Sequence, residues 1–200
     1  MEEYIQVVNE QRVPIGVETR TVIHEKGYWH ETFQCWIARK VENEVYVYLQ
    51  LRSRKKKDFP HLYDISAAGH ILADEIIEDG IRELKEEIGL EVAVNDLKKI
   101  GIISNEMELS NFKDREFCHV YLYIEEEPLY FSFEDDEVEE MILVKLQDLQ
   151  AMLLTNQEKE IDIYDLSMMK QTKRLIKTLV VPHEKQYFDK VFQGIIKYME

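Results

Sequence analysis

The sequence predicts an α/β or α+β domain in which helices cover a mixed β-sheet. The chain has 200 residues, which suits one domain with a sizeable core and short terminal additions. Its composition, 45% hydrophobic and 32% charged, is that of a globular protein. Runs of β-branched and aromatic residues precede and follow an amphipathic helical segment. This order indicates strands and helices that pack as layers.

The first part of the chain is predicted to consist mainly of strands. Two short strands are expected at Tyr4–Val8 and Glu18–His24. A pair of strands joined by a polar turn is expected at Thr32–Arg39 and Val45–Leu51. The basic loop Arg52–Asp58 follows this pair and leads to the middle of the chain.

A helix is predicted over Asp74–Ile88, with Asp74 as its N-cap. One apolar stripe at helical spacing is formed by Ile77, Ile81, Leu84 and Ile88. Gly89 is placed to end the helix in the left-handed conformation. Gly80 lies inside the helix, where glycine costs about 1 kcal/mol relative to alanine, so we expect a neighbour that needs the space.

The rest of the chain is predicted to hold three strands and two helices. The strands are expected at Leu97–Met107, Glu116–Ile124 and Glu140–Leu146, and the helices at Leu146–Leu154 and around Phe188, Val191, Phe192, Ile195 and Ile196. Residues 158–182 show no clear pattern. We therefore expect a main domain over residues 1–155, with its core at about 28–155, and a mainly helical extension over 156–200 packed on the same domain. The hydrophobic C-terminal helix could pack on its own core or serve a homodimer.

Charge and cysteine content narrow the classes of function. The net charge is −15, which argues against binding a nucleic acid polymer but leaves a small phosphate ester open, because divalent cations reverse the charge of a carboxylate site. The two cysteines, Cys35 and Cys118, form no C-x-x-C pair, so no disulfide framework is expected. No apolar run approaches a membrane span, and the first residues contain no secretory signal. A cytoplasmic location is the expectation.

Three glutamates on the predicted helix indicate metal chemistry. Glu83, Glu86 and Glu87 lie at i, i+3 and i+4 and share one helix face. Like charges at this spacing repel, and a hard cation such as Mg²⁺ removes that cost. For the three glutamates alone, an acidic face exposed to solvent is the commoner explanation.

The residues around these glutamates favour a metal site over an exposed acidic face. The segment Arg82–Leu90, RELKEEIGL, resembles the second half of the Nudix box, Arg-Glu-hydrophobic-any-Glu-Glu-any-Gly-hydrophobic, at every fixed position. The resemblance implies a Nudix-type α/β/α sandwich whose Glu83, Glu86 and Glu87 bind Mg²⁺ or Mn²⁺. It also implies structural roles for Arg82 and Gly89. In the first half of the box Gly69 and Glu75 have the family's spacing, but Glu75 lies one residue too close to Arg82. Either this loop is shorter, or Asp74 takes the place of the structural glutamate.

The resemblance extends from about residue 3 to residue 155. The pieces GYWHETFQCWI, YLQLRSRKKKDFP and LYDISAAGHILADE are similar to a branch that contains type I isopentenyl-diphosphate isomerases and related hydrolases. The isomerases need a cysteine directly before the Gly-His pair, where this chain has Ala68, and alanine has no group to transfer a proton. The resemblance therefore favours a hydrolase of nucleoside diphosphate derivatives or other small diphosphates. An isomerase-like enzyme and a catalytically silent nucleotide-binding module are the alternatives.

The resemblance also points to further site residues. Arg52 and Lys57 stand where the branch holds the substrate diphosphate, although a basic turn exposed to solvent would look the same. Gly69 and His70 of the box loop are the other candidates for substrate binding. Glu137, in the acidic run 134–140, matches a family position that serves as general base or extra metal ligand; with Glu86 and Glu87 it completes the catalytic candidates. The second metal site of the isomerases would fall on His24, His30, His70, Asp114 and Glu116. Ordinary structural roles for these histidines are the simpler explanation.

Overall fold

The fold consists of a large mixed sheet, a two-stranded sheet and flanking helices. A computed structural model describes residues 2–109, 112–133, 136–155 and 158–200. The strands are β1 Tyr4–Val8, β2 Pro14–Thr19, β3 Trp29–Val41, β4 Glu44–Arg52, β5 Tyr63–Asp64, β6 Ala67–His70, β7 Lys98–Leu109, β8 Phe112–Ile124, β9 Val138–Lys145, β10 Ile161–Tyr164 and β11 Lys170–Leu175. The α-helices are α1 Arg20–Lys26, α2 Arg82–Ile88, α3 Leu146–Leu154 and α4 Lys185–Met199. Single 3₁₀ turns lie at Ile77–Ile81, Val94–Asp96 and Lys177–Leu179.

The large sheet is mixed, as predicted. Its strand order is β11-β10-β9-β4-β3-β8-β7 within the described residues, and β5 and β6 pair with β4 and β3. Strands β3 and β8 run parallel, and the other pairs are antiparallel. The C-terminal part of β3 pairs with β4, whereas its N-terminal part pairs with β6. This division places residues 67–70 beside the middle of the sheet.

Helices cover both faces of this sheet. Alternate residues of β3 enter opposite cores: Trp36 packs with the buried faces of α3 and α4, and Phe33 packs with Leu84 and Ile88 of α2. The result is the predicted α/β/α sandwich. Both cysteines are buried and free. Across the described residues no helix is long and apolar enough to cross a membrane.

The prediction of a strand over Glu18–His24 was wrong. Strand β2 ends at Thr19, and helix α1 follows directly. The Thr19 hydroxyl accepts a hydrogen bond from the Val22 amide at 3.3 Å, and Gly27 ends the helix with φ 69°. The helix caps at Thr19 and Gly27 therefore outweigh the preference of the β-branched residues between them for a strand.

The helix predicted over Asp74–Ile88 is shorter than expected. Residues 73 and 74 form a turn, residues 77–81 are 3₁₀, and α2 begins only at Arg82, so Asp74 is not its N-cap. Gly89 ends the helix with φ 69°, as predicted. The expected need for space at Gly80 is confirmed, because a Cβ there would lie 2.4 Å from the Phe33 Cβ.

The C-terminal residues contribute to the sheet as well as to a helix. Strand β10 pairs with β9, and β11 pairs with β10, so residues 161–175 extend the sheet by two strands that the sequence did not predict. Helix α4 buries Tyr187, Phe188, Val191, Phe192 and Ile195 in the core that contains Trp36. The extension is thus integral to the sandwich and less helical than expected.

Candidate active site

A cleft of about 580 Å³ opens at one end of the large sheet. Its walls come from α1, α2, β3, β6, β8 and the segment that precedes α4. One side is closed by Arg52 at the end of β4 and by Lys56 and Lys57 of the basic loop that follows. The cleft therefore brings together most of the residues that the sequence singled out.

Helix α2 presents its three glutamates to this cleft. The Glu86 side chain is 56% exposed, whereas those of Glu83 and Glu87 are 12% and 5% exposed. The Glu87 carboxylate accepts hydrogen bonds from Gln50 Nε2 and the Ala68 amide, both at 3.0 Å. The Glu83 carboxylate lies against Gly69, where a Cβ would be only 2.0 Å from Glu83 Oε1. Strand β6 therefore holds two of the three carboxylates.

Burial and mutual repulsion shift the titration of these groups. Burial, followed by the charge of Glu87, raises the pKa of Glu83 to about 8. Burial also raises the pKa of Glu87 to about 7, although the charge of Lys56 acts in the opposite direction. Two buried carboxylates of this kind suit a divalent cation, which would neutralise both.

Arg82 pairs with the first glutamate of the box despite the shorter spacing. Its Nε donates to Glu75 Oε1 at 2.6 Å and its Nη2 to Glu75 Oε2 at 3.2 Å, a two-pronged contact. Arg82 Nη1 also lies 2.5 Å from Glu83 and 2.8 Å from Glu86. A turn at residues 73 and 74, closed by the hydrogen bond from the Glu75 amide to the Leu72 carbonyl, precedes Glu75, and Glu75, not Asp74, contacts the arginine.

The basic loop contacts the acidic loop beside Glu87. Lys56 Nζ contacts the Glu137 carboxylate and lies 4.0 Å from Glu87 Oε1. Arg52 donates to Asp64 Oδ2 at 3.0 Å and to the Asp58 carbonyl at 3.1 Å. Lys57 lines the cleft and is exposed. Glu134 and Asp135 of the acidic run lie outside the described residues.

A second cluster of ligand-type side chains lies in the same cleft. Donor atoms of His24, His30 and His70 lie within 4.8 Å of one another, as do those of His30, Asp114 and Glu116. His24 belongs to α1 and not to a strand as predicted, and His30 belongs to β3. The structure thus assembles all five residues that the resemblance named.

The histidine rings are oriented as they are in metal sites. The Nδ1 atoms of His24, His30 and His70 lie 2.9, 3.0 and 3.2 Å from the Arg20 carbonyl, the Tyr28 carbonyl and Glu3 Oε2. A proton on Nδ1 suits all three contacts and leaves Nε2 unprotonated in each neutral ring. The Nε2 atoms of His24 and His30 lie 3.4 and 3.5 Å from Asp114 Oδ1. This outer arrangement of carbonyls and carboxylates accompanies most histidine ligands of metals.

Two buried atoms of this cluster have no hydrogen-bond partner. His30 Nε2 and Asp114 Oδ1 are 3.5 Å apart and unsatisfied. Burial, followed by the neighbouring His70, lowers the pKa of His30 to about 4, so the ring is neutral at pH 7. Burial, followed by the charge of Asp114, raises the pKa of Glu116 well above its usual value. Unsatisfied lone pairs and mutually repelling carboxylates fit a bound cation, which would satisfy them all.

Several cleft residues were missed by the sequence reasoning. Asp64 and His183 form a hydrogen bond of 2.9 Å in the cleft wall, and Phe112 stacks on His24 with ring centroids 4.8 Å apart. Tyr187 donates to Gln34 Oε1 at 2.6 Å below the cleft floor. These pairs join segments that are far apart in the chain, and they belong to no local motif.

Comparisons with known proteins agree with this geometry. The NUDIX domain family model matches residues 19–166. An uncharacterized Nudix hydrolase of Clostridium acetobutylicum is 36% identical, over 98% of both chains. Isopentenyl-diphosphate Delta-isomerase 2 of Photorhabdus laumondii is 29% identical, over 76% of this chain and 83% of its own. A crystal structure from Deinococcus radiodurans shares the fold, with a TM-score of 0.57 and 19% identity over 74% of this chain and 87% of that one. The chain therefore belongs to the Nudix hydrolase family.

Proposed function

We propose that this protein is a Mg²⁺- or Mn²⁺-dependent hydrolase that cleaves the diphosphate linkage of a small organic or nucleoside diphosphate. The observation that carries the proposal is the buried pair Glu83 and Glu87 beside Glu86, at the wall of a cleft whose opposite side is basic. Carboxylates to hold the cation and cations to hold the phosphates are the two parts that phosphoryl transfer needs.

Each part of the cleft has a distinct task in this reaction. Divalent cations held by Glu83, Glu86 and Glu87 would neutralise the diphosphate charge and activate the attacking water. Arg52 and Lys57 hold the phosphate oxygens, and Gly69 and His70 line the substrate. Arg82 keeps Glu83 and Glu86 in place through its contacts with both.

Glu87 and Glu137 are the candidates for the group that takes the proton from water. The raised pKa of Glu87, about 7, is suited to proton transfer near neutral pH. Glu137 reaches the same region through Lys56. Glu137→Gln distinguishes them: a loss of about a hundredfold in kcat with unchanged Mg²⁺ affinity assigns the base to Glu137, and unchanged kcat assigns it to Glu87.

The proposal is tested by a Mg²⁺-dependent phosphate-release screen over diphosphate compounds. Glu86→Gln should reduce turnover by at least about a hundredfold without unfolding the protein, because Glu86 is half exposed and has no core role. Glu91→Gln is the matched control, since Glu91 is an exposed carboxylate just beyond the same helix. Full activity of Glu86→Gln, or no release from any compound by the wild type, contradicts the proposal.

We further propose that the histidine cluster is a second cation site of the same cleft. The clustered ligand atoms, and the buried His30 Nε2 and Asp114 Oδ1 atoms that have no hydrogen-bond partner, support it. Asp114→Asn keeps the shape and removes the charge, so it should lower the Mn²⁺ bound per chain, measured by elemental analysis after gel filtration. Glu86→Gln should spare that ion. Equal Mn²⁺ content in wild type and Asp114→Asn contradicts the second site.

The second candidate function is that of an isopentenyl-diphosphate isomerase. The histidine cluster and the similarity to isomerases support it. Ala68 opposes it, because the side chain at this position lines the cleft and cannot exchange a proton. Incubation of the wild type with isopentenyl diphosphate separates the two: allylic diphosphate as product favours the isomerase, and inorganic phosphate favours the hydrolase.

A further inference from the structure

The segment that precedes α4 reaches the cleft through His183, which no step above requires. The backbone anchors this segment: the Val181 amide donates to the Tyr63 carbonyl at 2.9 Å, and the Glu184 amide donates to Asn105 Oδ1 at 3.0 Å. The His183 side chain is 5% exposed and forms part of the cleft wall. The extension therefore delivers one fixed polar side chain to the site.

The hydrogen bonds of Asn105 determine the proton position on His183. Because Asn105 Oδ1 accepts from the Glu184 amide, its Nδ2 is the atom that faces His183 Nδ1, at 3.0 Å. An amide nitrogen only donates, so His183 Nδ1 accepts and carries no proton. The proton of the neutral ring is then on Nε2, which donates to Asp64 Oδ1 at 2.9 Å.

Asp64 connects His183 to Arg52, because its carboxylate accepts hydrogen bonds from both side chains. Its Oδ1 accepts from His183 and from the Ile65 amide, and its Oδ2 accepts from Arg52 Nη1 at 3.0 Å. The Asp64 and Arg52 side chains are 8% and 15% exposed, so solvent does little to replace a lost partner. The chain Asn105, His183, Asp64, Arg52 thus links the C-terminal segment to the basic side of the cleft.

We propose that His183 is a positioning residue, which holds Asp64 and thereby aims the Arg52 guanidinium at the substrate diphosphate. The proposal rests on the proposed function, because it takes Arg52 as a phosphate ligand. Without His183, Asp64 Oδ1 loses a buried donor, the carboxylate turns to recover one, and Arg52 follows it. The C-terminal extension therefore completes the substrate site in addition to covering the core.

The test compares His183→Leu with His183→Gln. Leucine removes the donor, whereas the glutamine amide can still donate to Asp64 from the Nε2 position. The probe is methylenediphosphonate, which cannot be hydrolysed, titrated calorimetrically in the presence of Mg²⁺. For His183→Leu we expect Kd of the probe and KM of the substrate to rise about tenfold with kcat changed less than about threefold. His183→Gln should recover most of the affinity. If the leucine variant does not fold, His183→Asn, too short to reach Asp64, replaces it.

Two further variants separate positioning from a general loss of stability. Phe192→Leu weakens the packing of α4 without touching the chain of hydrogen bonds, so it should leave Kd unchanged. In an Arg52→Met background, His183→Leu should have no additional effect on Kd, because the guanidinium through which His183 acts on the substrate is absent. Unchanged Kd in His183→Leu, or an equal effect with and without Arg52, overturns the positioning role while the hydrolase stands. A wild type that neither binds the probe nor hydrolyses any diphosphate overturns the proposed function.

Discussion

Replacing Gly69 by alanine is expected to disable the glutamate site and leave the fold intact. The added Cβ would lie 2.0 Å from Glu83 Oε1 and 2.1 Å from its Cδ. Since non-bonded atoms of this kind settle at about 3.5 Å, the carboxylate must move by about 1 Å or more. A displacement of this size costs about a hundredfold in rate, so kcat/KM should fall by that factor. The thermal midpoint should change little, because Glu83 can turn toward the cleft.

The assay is Mg²⁺-dependent hydrolysis of whichever diphosphate the wild type cleaves, combined with a Mg²⁺ titration and thermal unfolding. Gly16→Ala is the matched control, because a Cβ at this strand position meets no heavy atom within 4 Å. Gly69→Ala should need more Mg²⁺ for half-maximal rate, whereas Gly16→Ala should behave as the wild type. If Gly69→Ala retains full activity and the same Mg²⁺ dependence, the close contact between Gly69 and Glu83 does not govern the site.

Three other predictions concern pH, the box arginine and helix α4. Because the pKa values of Glu83 and Glu87 are raised to about 8 and 7, Mg²⁺ must displace protons near neutrality. Mg²⁺ affinity should rise between about pH 6 and pH 8, and calorimetry in two buffers should detect proton release; a flat profile contradicts this. Without metal, both carboxyls bind protons more tightly in the folded chain than at their ordinary pKa of 4.5. The thermal midpoint should therefore fall as pH rises from about 4.5 to about 8, and Mg²⁺ should restore it. Arg82→Lys gives up the two-pronged contact with Glu75 and should lower kcat/KM about tenfold, with a stability loss of about 1 kcal/mol in urea; wild-type kinetics would refute its role. Phe192→Ala should lower the free energy of unfolding by about 3–4 kcal/mol in urea denaturation, and a loss below about 1 kcal/mol would show that α4 contributes little to the core.

The parts of the site that lie on one helix could be predicted from the sequence. The spacing of Glu83, Glu86 and Glu87 places them on one face whether the helix begins at residue 74 or at residue 82. The start of the helix was mispredicted. Glu75 folds back to contact Arg82, and the residues between them form a 3₁₀ segment, which the apolar spacing of an α-helix does not reveal.

Two other features could not be predicted: helix α1, where strand and helix signals compete, and contacts between residues far apart in the chain. Helix α1 was taken for a strand because its residues are β-branched, although Thr19 and Gly27 carry the capping signals that decide its structure. The pair Asp64 and His183 is separated by 119 residues, and only the folded sheet brings them together. Periodicity describes local structure, so a contact of this kind leaves no trace in it.

Three consecutive residues of β6 serve both groups of ligand-type side chains. The Ala68 amide binds Glu87, Gly69 touches Glu83, and His70 joins the histidine cluster. The box glutamates and the histidine cluster therefore depend on one short strand. A mutation that shifted its backbone to improve the geometry of one group would disturb the geometry of the other. Divergence of activity in such a scaffold must come from side chains that leave the strand unmoved. Ala68 is a position of this kind, because it lines the cleft while its amide remains bound to Glu87.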